Sequence, residues 1–250
     1  WNGNDAILKE RLYGLTGVDG NHGEDVKELY YYLDNTPSHS YMKYLYKYPH
    51  AKFPYGDLLR ESSKRSKTDR EYELLDTGVF EENKYFDIYI EYAKEGPEDI
   101  CIKITVLNRA NKSADLVMVP NLWYRNLWDF GVVDKVPSIS KLGLGDSDYG
   151  GVKASHYRIG DYYLYFDEPD KYLFTNNKNN SERIFKTKNK DPFVKDLFHK
   201  AIVDDKDLSV FDGVESGTKF APYYKRKVNA NDEIVFRLKL TPTEHSENPF

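Results

Sequence analysis

The run Lys84-Tyr85-Phe86-Asp87-Ile88-Tyr89-Ile90-Glu91-Tyr92 alternates apolar and polar side chains with a period near two, and that alternation constrains the fold more than any other feature of the chain. Successive side chains of a strand point to opposite sides, so such a run buries one face and wets the other. In the next run Ile100, Ile102, Ile104 and Val106 share one face, with Cys101, Lys103 and Thr105 on the other. Glu95-Gly96-Pro97-Glu98 between them is a turn by composition, so the two runs are expected as an antiparallel hairpin. A third strand follows Asn111-Lys112-Ser113: Ala114 to Trp123, nearly continuous in apolar character until Pro120. Tyr162 to Phe166 and Glu233 to Leu240 read as later strands, the last alternating cleanly. Short strands separated by Gly, Asn and Asp predict a mainly β chain, a large two-sheet antiparallel β-sandwich with a few short helices.

Two helices are expected. Thr36-Pro37 reads as a cap followed by proline at the first helical position, opening Ser38 to Tyr48, where Tyr41, Tyr44, Leu45 and Tyr48 recur at helical spacing before Pro49. Pro192 to Ala201 places Val194, Leu197, Phe198 and Ala201 on one face. Asn176 to Asn180 has no apolar residue to bury and reads as a loop. No internal repeat and no linker divides the chain, so residues 1–250 are expected as a single domain.

Acids outnumber bases, 41 against 36, for a formal charge of −5. That balance argues against a nucleic-acid binder, which needs a clustered basic surplus. The lone Cys101 can form neither an internal disulfide nor, by itself, a metal site, and a small buried hydrophobe is its ordinary role in a strand. No apolar run approaches the ~20 residues that span a bilayer. No signal peptide is visible, and a soluble cytoplasmic chain is favoured over a secreted one. The chain opens at Trp1 without methionine and reads as an excised fragment whose true start is missing. Sequons at Asn111 and Asn179 are about what chance supplies in a chain rich in Asn and Ser. The unusual number is 22 tyrosines against 13 phenylalanines. Tyrosine is a good β-former, and its flat ring with a polar tip also suits half-wet strand faces and stacking on sugars.

Two clusters carry enough chemistry to be candidate sites. Gly20-Asn21-His22-Gly23-Glu24-Asp25-Val26-Lys27-Glu28 offers His22, Glu24 and Asp25, but not at the i, i+4 spacing of a zinc-protease helix. Acid–base work would need a second carboxylate across a cleft. The bland alternative is a tight glycine loop whose acids bind backbone amides or an arginine. The second cluster, Pro120 to Gly131, brings Trp123, Arg125, Trp128, two asparagines and Asp129 to a strand end. Rings supply an apolar platform and polar groups orient hydroxyls, as in sugar binding or domain docking; a sandwich edge closed by aromatics fits equally well. The chain contains no phosphate-loop or nucleophile-elbow motif, and Gly143-Leu144-Gly145 lacks the remaining glycine and the preceding strand of a dinucleotide fingerprint. No cofactor and no metal are expected.

Several segments resemble one family: Trp1 to Gly17, Gly20 to Pro49, "YELLDTGVF" at Tyr72 to Phe80, "YFDIYIEYAK", "PEDICIKITVLNRA" and "PNLWYRN". They are similar to the amino-terminal part of bacterial glycoside hydrolase family 63-type proteins, described as glucosidases or mannosylglycerate-hydrolase-like. The resemblance is strong to about Trp128 and looser through "FTNNKNNSERIF", "PFVKDLFH" and "SGTKFAPYY". It implies a β-sandwich preceding an (α/α)6 barrel that holds both catalytic carboxylates and hydrolyses α-linked sugars with inversion. Inversion requires carboxyls about 6.5–9.5 Å apart to admit a water. No catalytic residue is carried over to this chain, which the resemblance implies is the sandwich without its barrel.

The expected function is therefore a non-catalytic domain of an inverting, α-glucosidase-like glycoside hydrolase. It would pack on the barrel of the same chain and contribute to an oligosaccharide pocket, without nucleic acid or membrane as partner. His22, Glu24, Asp25, Trp123, Arg125 and Trp128 are the candidates for that face. A free-standing carbohydrate-binding module is the alternative, with a structural or adhesion domain and a metal-dependent enzyme further behind.

Overall fold

The computed structural model describes residues 1–8 and 29–250 of the chain. Thirteen strands are described: β1 (Tyr30–Asn35), β2 (Tyr41–Pro49), β3 (Tyr85–Lys94), β4 (Ile100–Asn108), β5 (Ala114–Met118), β6 (Leu122–Trp123), β7 (Ser138–Lys141), β8 (Tyr149–His156), β9 (Gly160–Asp167), β10 (Lys171–Thr175), β11 (Ser216–Gly217), β12 (Lys219–Val228) and β13 (Glu233–Thr241). They form a nine-stranded antiparallel sheet, ordered β1-β2-β3-β4-β13-β9-β8-β7-β11, and a smaller sheet, β10-β12-β5, with β6 also on β12. The two-sheet antiparallel architecture expected from the alternating runs is the one observed. No helix among the described residues is long and apolar enough to cross a membrane.

The period-two pattern sets which faces meet. Phe86, Ile88 and Ile90 of β3 lie opposite Asn108, Val106 and Ile104 of β4, and Phe236 and Leu238 of β13 lie opposite Ile104 and Ile102. These residues, with Leu164 and Phe166 of β9, pack against Leu116, Phe174, Phe220, Tyr224 and Val228 of the small sheet. The hairpin turn falls between Lys94 and Ile100 as the composition requires. Ala114 to Trp123 is interrupted where Pro120 lacks a donor, but both pieces still pair with β12, Met118 opposite Tyr224 and Leu122 opposite Phe220.

Behind the small sheet lies a third layer. Val117, Leu173, Ala221 and Tyr223 face outward from it and are covered by Phe198, Ala201, Ile202 and Phe211. Phe198 and Ala201 belong to the second helix expected from sequence, Ile202 follows it, and Phe211 comes from a separate turn at Ser209–Phe211. The apolar face expected of that helix is correct, but the helix runs only Leu197–His199 and continues as a wider turn, Lys200–Asp204, in which Asp205 N donates to Lys200 O at 2.8 Å. Pro192 lies outside it, because Val194 is held in a parallel bridge to Asn176.

The expected helix from Ser38 to Tyr48 is not formed; the segment is strand β2. It pairs along its whole length with β3, from Tyr41 opposite Ala93 to Pro49 opposite Tyr85. Tyr44, Tyr46 and Tyr48 recur at period two as well as lying within a helical pattern, and aromatic side chains favour the pleated, half-buried surface. Thr36-Pro37 is accordingly a turn rather than a helix start. His39 N donates to Thr36 O at 2.9 Å, Tyr41 N donates to Thr36 Oγ1 at 3.1 Å, and His39 adopts a left-handed φ of 53°. Among the described residues an α-helix of ten residues, α1 (Tyr55–Lys64), lies in a segment for which no helix was expected, and it has no buried residue.

Gly150 of β8 lies where Tyr172 of the small sheet and Phe166 of β9 close over the backbone. A Cβ there would collide with the Tyr172 hydroxyl and the Phe166 ring. Gly150→Ala is expected to overpack this contact and cost about 1–3 kcal/mol, read as a lower denaturation midpoint at unchanged slope.

Candidate functional site

The small sheet is narrower than the large one, so part of the large sheet's apolar inner face borders a cleft of about 820 Å³. Its floor is Tyr44, Tyr46, Ile90, Tyr92 and Ile102, and Met118 and Leu122 form one wall. At its polar end stand Asn121, Trp123, Asn177, Lys195 and Lys219. No carboxylate from the described residues lines it.

Trp123 reaches this end because β6 resumes after Pro120 and pairs Trp123 with Lys219. Its ring is 54% exposed, while the side chain of Lys219 is buried and places its ammonium 5.1 Å from the Trp123 ring and 5.5 Å from that of Phe198. The exposed part of the indole is an apolar surface of the kind that accepts the CH face of a sugar. Asn121 donates to Val119 O at 2.7 Å, and its buried Oδ1 has no hydrogen-bond partner among the described residues.

The rest of the Pro120 to Gly131 cluster is used differently. Asn126 Nδ2 donates to Asp129 Oδ2 at 2.8 Å and to Asn177 O at 3.0 Å, while Lys178 pairs with Asp129 at 3.3 Å. Asn177 in turn donates to Tyr124 O at 2.8 Å, and its own N–H donates to Thr218 Oγ1 at 2.7 Å. These groups lock two loops together. Trp128 is half-buried and turned away from the cleft, its buried Nε1 without a partner among the described residues; Arg125 is exposed and also outside the cleft lining. Of the predicted residues that are described, the structure therefore brings Trp123 alone to the cleft. His22, Glu24 and Asp25 lie outside the described residues.

The far wall of the cleft rests on residues that sequence reasoning passed over. Asp5 is 2% exposed and accepts hydrogen bonds from the hydroxyls of Tyr48 at 2.7 Å and Tyr55 at 2.8 Å. Burial first, and the Asp5 charge second, hold both phenols well above their ordinary range. Asn2 donates to Pro49 O at 2.6 Å and Ala51 O at 2.9 Å, and its oxygen accepts from the Asn4 and Asp5 amides. The signal was present in the Trp1-Asn2-Gly3-Asn4-Asp5 stretch, where small polar residues that bind backbone crowd together.

A metal reading has one geometric candidate among the described residues: Glu95, Asp99 and Cys101 offer ligand atoms within 4.8 Å of one another. The ammonium of Lys239 already stands there, 2.7 Å from Glu95 and 3.5 Å from Asp99, and Thr241 Oγ1 donates to Asp99 at 3.1 Å. Cys101 is half-buried rather than fully buried, and burial pushes its thiol up. Two carboxylates bridged by the ammonium of a lysine read as an ion-pair network.

No protein-family model matches the chain. It is 37% identical over 275 aligned positions to an uncharacterized protein of Saccharomyces cerevisiae, an alignment covering 96% of this chain and 25% of that protein. The chain thus spans about a quarter of the curated relative's length. Among solved structures, one described as "Putative kojibiose phosphorylase from human microbiome" aligns with 63% of this chain and 16% of its own, at 10% identity and a TM-score of 0.35. That likeness is too slight to carry an argument.

Two measurements check these assignments. Asp5→Leu removes the carboxylate that the buried Tyr48 hydroxyl and the half-buried Tyr55 hydroxyl donate to and is expected to cost on the order of 3 kcal/mol, whereas Asp5→Asn, which keeps an acceptor, should cost less. His50, with its ring 4.2 Å from that of Phe86, has its pKa lowered to about 4 by burial. Its folded-state value lies below the ordinary 6.5, so protons bind the unfolded chain more readily. Stability should fall as pH drops from about 6.5 toward 4, and His50→Gln should flatten that stretch of the profile.

Proposed function

We propose that this chain is a non-catalytic β-sandwich domain of a larger carbohydrate-active protein, an inverting α-glucosidase-like glycoside hydrolase. It packs on an (α/α)6 barrel of the same chain and contributes part of the oligosaccharide pocket. The observation that carries this reading is the cleft itself: an aromatic floor and an exposed Trp123 at its polar end, with no carboxylate among the described residues that line it. Glycoside hydrolysis requires two carboxyls across the scissile bond, whereas stacking and orienting a sugar require rings and amides. The resemblance of the Trp1 to Trp128 segments to the family 63-type sandwich supports the same reading, as does a relative four times longer than the matched part. Exposed Phe130, Val132 and Val136, in the loop after Trp128, supply an apolar surface of the sort that a neighbouring domain covers.

The test compares this chain with the longer protein. The longer protein should release the inverted anomer from α-linked glucosides, followed by NMR, and this chain alone should release none. Trp123→Ala in the longer protein should raise KM about tenfold, equivalent to about 1.4 kcal/mol, with an unchanged melting temperature. Hydrolysis by this chain alone would sink the non-catalytic reading. Unchanged kinetics in Trp123→Ala would remove Trp123 from the pocket.

The exposed Trp123 platform also favours a second reading, a free-standing carbohydrate-binding module. Titration of this chain with glucose-containing disaccharides separates the two: saturable binding abolished by Trp123→Ala favours the module, and no response at millimolar sugar opposes it.

A further inference from the structure

Two connections meet at one end of the sandwich. Residues 124–137 join β6 to β7, and residues 157–159 turn between β8 and β9. The long connection meets the short turn at both of its ends. At its start the Tyr124 ring stacks on that of His156 at 5.1 Å, and His156 stacks in turn on Tyr157 at 4.3 Å. At its finish Ser138 lies opposite Ser155, so the chain entering β7 and the chain leaving β8 run side by side.

The long connection is held in place, yet it turns apolar side chains to water. Gly131 N donates to Trp128 O at 3.2 Å and Val132 N donates to Leu127 O at 3.1 Å, while Asn126 and Lys178 both bind Asp129. Gly131 adopts a left-handed φ of 65°, and the residues on either side of it, Phe130 and Val132, are 73% and 65% exposed. Val136 is exposed further along, as are Tyr157 and Ile159 on the neighbouring turn. The same two segments carry Arg125, Asp134, Lys135 and Arg158, exposed charges of both signs. Apolar side chains gathered at one place with a polar rim have the make-up of a protein–protein contact.

We propose that Phe130, Val132, Val136, Tyr157 and Ile159 form the face on which a second domain of the same longer chain packs, beside the Trp123 end of the cleft. The inference rests on the accessory-domain reading above and adds where the contact falls. Three observations choose the occupant. The aligned region takes in 96% of this chain but only 25% of the yeast protein, so most of such a protein lies outside the sandwich. The connection begins directly after Trp123, and Asn126 donates to the carbonyl of Asn177, a residue of the cleft lining. A domain seated here therefore stands next to the polar end of the cleft, where groups that it carries can meet a sugar held on Trp123. Finally, rim charges of both signs suit a folded protein surface, whereas a polyanion or an anionic lipid layer selects a single basic sign.

The test is hydrogen exchange of this chain alone against the longer protein, read by mass spectrometry. Amides at 127–136 and 157–160 are expected to exchange about tenfold more slowly in the longer protein. Phe130→Asp and Ile159→Asp change side chains that this chain leaves in water, so its own melting temperature should stay unchanged. In the longer protein both should lower the melting temperature by several degrees. Leu59→Asp, at an exposed leucine of α1, should change neither. Slower exchange at other surfaces but not at these two segments would overturn the proposal and leave the accessory-domain reading standing. Equal exchange throughout would overturn both. Dimers of the longer protein that Phe130→Asp dissolves would give this face to a second copy and overturn the proposal as well.

Discussion

Everything in this fold leans on the two buried faces of β12. Phe220, Tyr224 and Val228 point into the space between the sheets, and Ala221 and Tyr223 point into the space beneath the Leu197–Asp204 helical cap. The same strand supplies the ladder for β10, β5 and β6. A strand buried on both sides has no solvent face to absorb a slip, because moving its register by one residue would exchange Phe220 for Lys219 in the main core. The position of Trp123 follows directly, since its ladder partner on β12 is Lys219.

Several buried or half-buried charges hold that arrangement together. Asp87 is 2% exposed yet bound by Lys47 Nζ and Arg109 Nε, each at 2.5 Å, so a buried carboxylate on β3 is matched by two cations. Glu91 likewise accepts from the Tyr41 hydroxyl at 2.7 Å and pairs with Lys103 at 3.0 Å on the wet face. Removing one partner of such a set costs more than the set contributes, because a charge is left without compensation. Asn108, fully buried, performs the neutral version: its amide donates to the Lys112, Val228 and Asn229 carbonyls and joins two turns at one end of the sandwich. The density of polar residues in this chain is largely accounted for by such ties.

Strands whose two faces differ in polarity were legible without a structure. Lys84 to Tyr92, Ile100 to Val106 and Glu233 to Leu240 each declare a wet side and a dry side, and each is found where that pattern puts it. Ser38 to Tyr48 misled because tyrosine at positions 41, 44 and 48 satisfies a helical spacing, while tyrosine at 44, 46 and 48 satisfies a strand spacing. Local pattern cannot choose between them; nine paired positions on β3 can. The candidate site was half legible for a related reason. The Pro120 to Gly131 residues are rich in groups that bind sugars, but the same asparagines and aspartate also close loops. Their engagement with Asn177 and Lys178, some fifty residues away, is invisible from spacing.

What the sequence by itself determined is the class of fold, the hairpin of β3 and β4, and the presence of an aromatic platform near Trp123. These depend on side-chain alternation and on residue chemistry, which are local properties. What only the tertiary structure decided is which platform residue meets the cleft, that Asp5 is fastened to Tyr48 and Tyr55, and that the Glu95–Asp99–Cys101 cluster is held by Lys239. Each of those outcomes joins residues separated by more than forty positions. Contacts at that range are set by how two sheets of unequal width stack, and no periodicity along the chain encodes that.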